Sequence, residues 1–293
     1  MAGFAQQVVE GMGAGAIYAG LALALVLIHR FTGIVNFAQG ELAMFSTYVA
    51  WQFMDAGLPF WAALAITLTV SFTGGMLIER VVIRPVEGAP ELTMVIVTVG
   101  LFIFVNAAAG WIWSFLIKDF PNPFPDGALR AGGVAVGYPT LGILAVVGLV
   151  MGLLYLLFRH TGIGLGMRAV AADPDSARLV GIRVGRTLAL GWGLAATVGA
   201  VSGVLVAPLL FLEPNMMGGV LIYAFAAATL GGFDSPAGAV VGGLVVGVAE
   251  TLAGAYVDVV GSDLKIGVPL VIILVVLLLR PQGLFGRATV ERA

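Results

Sequence analysis

The sequence predicts an all-α polytopic membrane protein of about eight or nine transmembrane helices, some short or broken, with its N-terminus outside and its C-terminus in the cytoplasm. Three observations carry that prediction. Only 10% of the 293 residues are charged, against about 25% in globular proteins, too few to clothe a water-soluble surface. The apolar stretches are continuous and run near the ~20 residues that cross a bilayer as helix, whereas a transmembrane barrel alternates in pieces of ~10. The basic residues fall mostly on one side of the segments so defined.

In chain order the apolar segments cover 11–29, 34–53, 60–79, 92–114, 138–158, 187–209, 218–233, 236–256 and 266–280. No basic region precedes the first, so it reads as a span and not as a cleaved signal peptide. The seventh is short and glycine-rich, suited to a half-helix or a re-entrant piece. With the N-terminus outside, Arg30, Arg80, Arg84, Arg159, Arg168, Arg178, Arg183, Arg186, Arg280, Arg287 and Arg292 lie in the cytoplasm, and only Lys118, Arg130 and Lys265 lie outside. Reversing any one segment spoils that bias. The external loop 115–137 carries Pro121, Pro123 and Pro125 and reads as a connector capping the outer face. Forty-two glycines suit membrane helices, where glycine lets backbones approach closely. With no cysteine there is no disulfide, thiolate chemistry or cysteine metal site. Two histidines and a net charge of −2 argue against a metal centre or a nucleic-acid partner.

One long polar interval, 159–186, interrupts this apolar chain. Asp173-Pro174-Asp175 is a helix start: Asp173 can cap free N–H groups, Pro174 suits the first helical position and Asp175 complements the positive helix end. Gly181 stands where a left-handed residue stops a helix. The spacing predicts a helix of about two turns from Pro174 to Val180, held between Arg168 and Arg183. Leu179 and Val180 cannot face lipid if the arginines stand in water. The interval is then either a solvated connector or a docking knob for a partner's groove.

Polar residues at membrane depth are functional candidates by default. On an ideal helix Asn36, Gly40, Ala43 and Thr47 share a face, with Gln39 and Ser46 beside it. Glu41 lies on another face with Phe37, Met44 and Tyr48. Glu250 sits among Gly243, Gly247, Ala253 and Gly254, a face suited to tight packing. Asn36, Gln39, Glu41 and Glu250 are the substrate-pathway candidates. For Asn36 and Gln39, as for Asn106, interhelical hydrogen bonding is the competing reading; for Glu250 it is a structural carboxylate bonded to a neighbouring helix. Catalytic machinery is not expected. His29 and His160 lie at span ends as interfacial anchors, and no paired His, Asp or Ser constellation marks an enzyme. A phosphate-cradling loop needs a lysine followed by Ser or Thr, but Lys118 precedes Asp119 and Lys265 precedes Ile266.

Four collinear segments bring a resemblance into view. Gly164, Arg168-Ala169, Ala171, Asp173-Pro174, Ala177-Arg178-Leu179 and Gly181-Ile182 resemble the coupling loop of branched-chain amino acid ABC transporter permeases. Thr32-Gly33 through Asn36-Phe37-Ala38-Gln39-Gly40-Glu41 is similar to that family's N-terminal signature, with Gln39 where His is often found. Leu230-Gly231-Gly232-Phe233-Asp234-Ser235-Pro236-Ala237-Gly238-Ala239 resembles its glycine turn, and Arg280-Pro281-Gln282-Gly283-Leu284-Phe285-Gly286 its C-terminal end. The NFAQGE segment fits the LivH-type subunit. The resemblance implies a single permease domain over 1–293 with a coupling loop at 159–186, in a bacterial-type inner membrane. It assigns Arg168, Asp173, Pro174, Ala177, Arg178, Leu179 and Gly181 to the coupling helix. It also implies partners: two ATP-binding subunits that hold ATP and Mg, a LivM-like second permease, an extracytoplasmic substrate-binding protein and membrane lipid. Leucine, isoleucine and valine lead the substrate class, with urea, amides and other amino acids open. The rival is an ion-gradient-driven secondary transporter or channel acting without ATPase partners, built on broken helices, with Glu41 or Glu250 as ion ligands.

For the C-terminal end a plain structural reading competes: Arg280 anchors a helix at the interface, Pro281 stops it and Gly283 turns the chain.

Overall fold

Every one of the nine apolar segments forms a helix in the computed structural model, which describes residues 2–261 and 264–286 and leaves the side chains of Ala2 and Ala131 aside. Arg287 and Arg292, counted above in the charge bias, lie outside the described residues. The helices over those segments are α1 (Ala2–Thr32), α2 (Gln39–Asp55), α3 (Phe60–Ile78), α4 (Glu91–Trp113) and α5 (Tyr138–His160), then α8 (Val184–Leu210), α9 (Met216–Gly231), α10 (Pro236–Tyr256) and α11 (Gly267–Leu279). Two further helices, α6 (Gly162–Ala172) and α7 (Pro174–Leu179), form between α5 and α8. Six helical stretches are long and apolar enough to cross a bilayer, among them Gly3–Thr32, Phe60–Val86 and Val184–Leu210. The protein is thus an all-α polytopic membrane protein.

The chain divides into two compact units, one of Met1–Val26, Pro123–Gly148 and Gly219–Ala293, the other of Leu27–Asn122 and Leu149–Gly218. In the first unit the glycines of α10 let α1 approach to backbone contact. A Cβ on Gly15 would stand 2.8 Å from the Leu244 Cα, and one on Gly243 would stand 2.5 Å from that of Ala19. Such small-residue seams substitute for a hydrophobic driving force that lipid cannot supply. The connector 115–137 holds more order than expected. Its strands β1 (Ala128–Ala131) and β2 (Val134–Gly137) pair antiparallel, with Arg130 opposite Ala135. Gln6 brackets β2, donating to the Ala135 carbonyl at 3.0 Å and accepting its N–H at 2.8 Å.

The same unit joins two of the sequence motifs. Past α11, Gly283 takes a φ of +74° and Gly232 one of +98°, left-handed values that favour glycine. The Leu284 and Phe285 N–H groups then donate to the carbonyls of Leu230 and Gly231 at 2.8 and 3.1 Å. The glycine turn and the Arg280–Gly286 end, separate in sequence, are one joint.

In the second unit α8 is the central helix, packed by α2 and α3. Trp192 is fully buried, and its carbonyl lies 2.6 Å from where a Cβ on Gly75 would stand. On the α2 side, a Cβ on Gly203 would come within 2.6 Å of the Ala43 carbonyl. Segment 34–53 becomes helix only at Gln39, so Asn36 is not on the helical stripe that an ideal helix would give it. Gly33 has a φ of +69°, and the Asn36 Oδ1 accepts the Ala38 N–H at 3.1 Å, a side-chain turn that competes with helix. Beyond α3 the backbone widens into a π turn, Glu79–Ile83, and tightens into a 3₁₀ turn, Arg84–Val86. Mid-helix departures of this kind are often found at functional sites.

Candidate coupling helix and substrate pathway

The polar interval is built as a helical knob. Thr161 caps α6 by accepting the Gly164 N–H at 3.0 Å, and Gly164, Met167 and Val170 are the buried face of that helix. Asp173 then caps α7, its Oδ1 accepting from the N–H groups of Asp175 and Ser176 at 3.0 and 3.2 Å. The Ser176 hydroxyl, and after it these two N–H groups, hold the Asp173 carboxyl below its ordinary range. The cap is therefore present at neutral pH, above the usual Asp value near 4, and is lost only as pH falls through the lower folded value.

At the far end the Gly181 N–H donates to the Arg178 carbonyl and the Ile182 N–H to the Ala177 carbonyl, both at 3.0 Å, with Gly181 at a φ of +86°. That is the Schellman closure, which glycine favours. Ala177 is buried, whereas Leu179 is 88% and Val180 76% exposed. Arg168, Arg178 and Arg183 are exposed as well. Two large apolar side chains are thus exposed in the same polar interval as three exposed arginines.

Among the described residues, three ion pairs lie in this region. Arg178 bonds Asp175 at 2.9 Å and reaches Glu87 at 3.8 Å, both exposed contacts of small energetic value. Arg84 is the stronger clamp. Its Nε and Nη2 donate to the two Glu79 oxygens at 3.2 and 2.7 Å, and Nη2 also donates to the Gly185 carbonyl at 2.6 Å. Glu79 is buried, so the π turn is locked to the first turn of α8. A cavity of about 310 Å³ beside the clamp is lined by Thr32, Gly33, Ile34, Arg84, Glu87 and Pro174, among others.

At membrane depth the candidates separate. Asn36 and Gln39 come together: Asn36 donates to the Gln39 Oε1 at 3.2 Å, and the Gln39 Nε2 donates to the Ala195 carbonyl at 3.1 Å. Both side chains are fully buried, and these bonds tie α2 to α8. Glu41, 1% exposed, turns away to another partner. Asn106 donates to its Oε2 at 3.2 Å, and the same Nδ2 lies 2.9 Å from the Pro214 carbonyl and 3.3 Å from the Asn215 Oδ1. Sequence reasoning gave Asn106 no special weight; its signal was a lone amide inside an apolar span. Pro214 and Asn215 gave none.

The location of this cluster follows from the chain path. Leu212 pairs with Lys118, past the end of α4. Two residues on, Pro214 meets Asn106, which lies two turns inside α4, about 10 Å by helical rise. So α9 begins within the depth of α4, and its 16 residues rise about 24 Å, short of the ~30 Å hydrocarbon core.

Glu250 belongs to the other unit. The Tyr18 hydroxyl donates to its Oε2 at 2.8 Å, and Tyr18 stacks on Tyr223 with ring centroids 4.5 Å apart. Among the described residues no cluster of His, Cys, Asp or Glu could hold a metal ion.

The family model described as branched-chain amino acid transport system / permease component matches residues 7–277. The chain is 33% identical to the high-affinity branched-chain amino acid transport system permease protein BraD of Pseudomonas aeruginosa, over 99% of this chain and 98% of that one. It is 31% identical to the corresponding LivH of Escherichia coli, over 99% and 97%. A probable branched-chain amino acid transport permease protein LivH of Methanocaldococcus jannaschii is 27% identical over 91% and 87%. Among solved structures, PsaBC from Streptococcus pneumoniae in complex with Fab aligns with a TM-score of 0.48 at 13% identity, covering 94% of this chain and 91% of that one. A whole-length match, together with the helical spans, makes this chain a member of the branched-chain amino acid permease family, of LivH type.

Proposed function

We propose that the chain is the membrane permease subunit of an ATP-driven importer for branched-chain or related amino acids, in a bacterial-type inner membrane. Two separate ATP-binding subunits supply the energy, a LivM-like permease completes the pathway, and an extracytoplasmic binding protein delivers substrate. The observation that carries this reading is α7: a helix capped at both ends that offers Leu179 and Val180 to a partner. Closure of the ATP-binding subunits pulls on α7, and the Arg84 clamp passes that pull from the start of α8 to α3. The pathway then opens alternately to the two sides.

The test is a pull-down in mild detergent from native membrane. Wild type brings two ATP-binding proteins and a second permease; the Leu179→Asp, Val180→Asp double variant inserts but loses the ATP-binding proteins. Unchanged recovery with the double variant removes α7 as the docking element. Amino-acid transport by this chain alone in liposomes establishes the ion-driven rival instead.

A further inference from the structure

We propose that Glu41, the Pro214 carbonyl and Asn215 form a station for the α-ammonium group of the transported amino acid, with Asn106 as its resident donor between passages. The proposal rests on the transport reading above. Three oxygens of three kinds, a carboxylate, a backbone carbonyl and a side-chain amide, converge on the single Asn106 Nδ2 at 3.2, 2.9 and 3.3 Å. An amide NH₂ has two hydrogens and cannot serve three acceptors at once, whereas an ammonium has three hydrogens and a positive charge.

The charge count points the same way. Glu41 is 1% exposed, and none of the ion pairs among the described residues includes it. A buried carboxyl that faces no cation is favoured in its charged form once a cation arrives. An arriving ammonium balances it, and when the ligand leaves, Asn106 swings back to hold the oxygens. Recognition of the ammonium group also fits a pathway for a whole class, since amino acids share that group and differ in their side chains.

The experiment is ligand-observed NMR on the full chain in lipid nanodiscs with three probes: L-leucine, 3-methylbutylamine and 4-methylpentanoate. Leucine and the amine are expected to bind and compete, and the carboxylate probe to do neither. Glu41→Gln, which keeps shape but removes charge, weakens the amine by roughly tenfold or more, the scale of a charge-assisted hydrogen bond. Asn106→Ala removes the resident donor and strengthens amine binding.

The proposal is overturned if wild type fails to bind the amine, if 4-methylpentanoate displaces it, or if replacing choline chloride with sodium chloride does. It is equally overturned if Glu41→Gln binds the amine like wild type. Should Glu41→Gln fail to fold, the probe selectivity of wild type and the Asn106→Ala result decide. Normal leucine transport by a Glu41→Gln complex removes the station and leaves the importer standing; a pull-down without ATP-binding proteins removes the importer and leaves amine binding to be read by itself.

Discussion

A carboxylate inside a membrane protein needs donors, and Glu250 has the Tyr18 hydroxyl at 2.8 Å. Glutamine at that position can accept the same bond. Glu250→Gln is therefore expected to shift stability by no more than about 1 kcal/mol, while Glu250→Leu, which strands the Tyr18 hydroxyl, costs about 1–3 kcal/mol; thermal melts of the purified chain read both. Loss of transport by an intact Glu250→Gln complex would show instead that the charge itself is used. At this scale the sequence is legible where the interacting residues are neighbours. The α7 cap, its first-turn proline and its terminating glycine all fall between Asp173 and Gly181 and could be read directly. The Glu41 cluster could not, because Asn106 stands 65 residues from Glu41 and a further 108 from Pro214. Only the fold brings such residues together.

Between helices, the Arg84 clamp is the contact with most at stake. Glu79 is buried with its charge answered by Arg84. Removing one partner of a buried pair strands the other charge at a cost of about 3–5 kcal/mol, whereas replacing both is often close to neutral. Arg84→Met is thus expected to lower the melting temperature sharply, and Glu79→Met added to it to restore most of the loss. Equal destabilisation by the single and double variants would mean that the clamp matters for packing and not for charge. Helix existence was well signalled by the apolar runs; helix beginnings were less so. Extending α2 back to residue 34 put Asn36 on a stripe it does not occupy, because Gly33 and the Asn36 side-chain turn start the helix later. Helix α6 was missed because Gly162, Gly164 and Gly166 weaken helical propensity. Gly164 is nonetheless useful there, since a Cβ would collide with the Leu157 carbonyl.

For the molecule in its membrane, the charge bias sets an orientation that can be tested simply, since the chain has no cysteine. Single cysteines at Leu179 and at Gly132 in the β1–β2 turn should label from opposite faces, the first from the cytoplasm and the second from outside. Labelling of both from one face overturns the topology. Composition was enough to place the chain in a bilayer, because no arrangement of these residues could cover a soluble surface. It could not show that the short seventh span starts below the level where α4 ends, since that depends on where the Leu212–Lys118 pairing anchors the connecting chain.

The joint between the α9–α10 turn and the Arg280–Gly286 end has a bearing on synthesis. While the chain is being made, the carbonyls of Leu230 and Gly231 stay without their donors until α10 and α11 have been threaded and the last turn has arrived. A chain interrupted before Leu284 leaves both carbonyls without these donors. Truncation after Arg280 should leave every span inserted yet shorten the lifetime of the protein in a pulse-chase experiment; an unchanged lifetime would mean that the joint has no bearing on it.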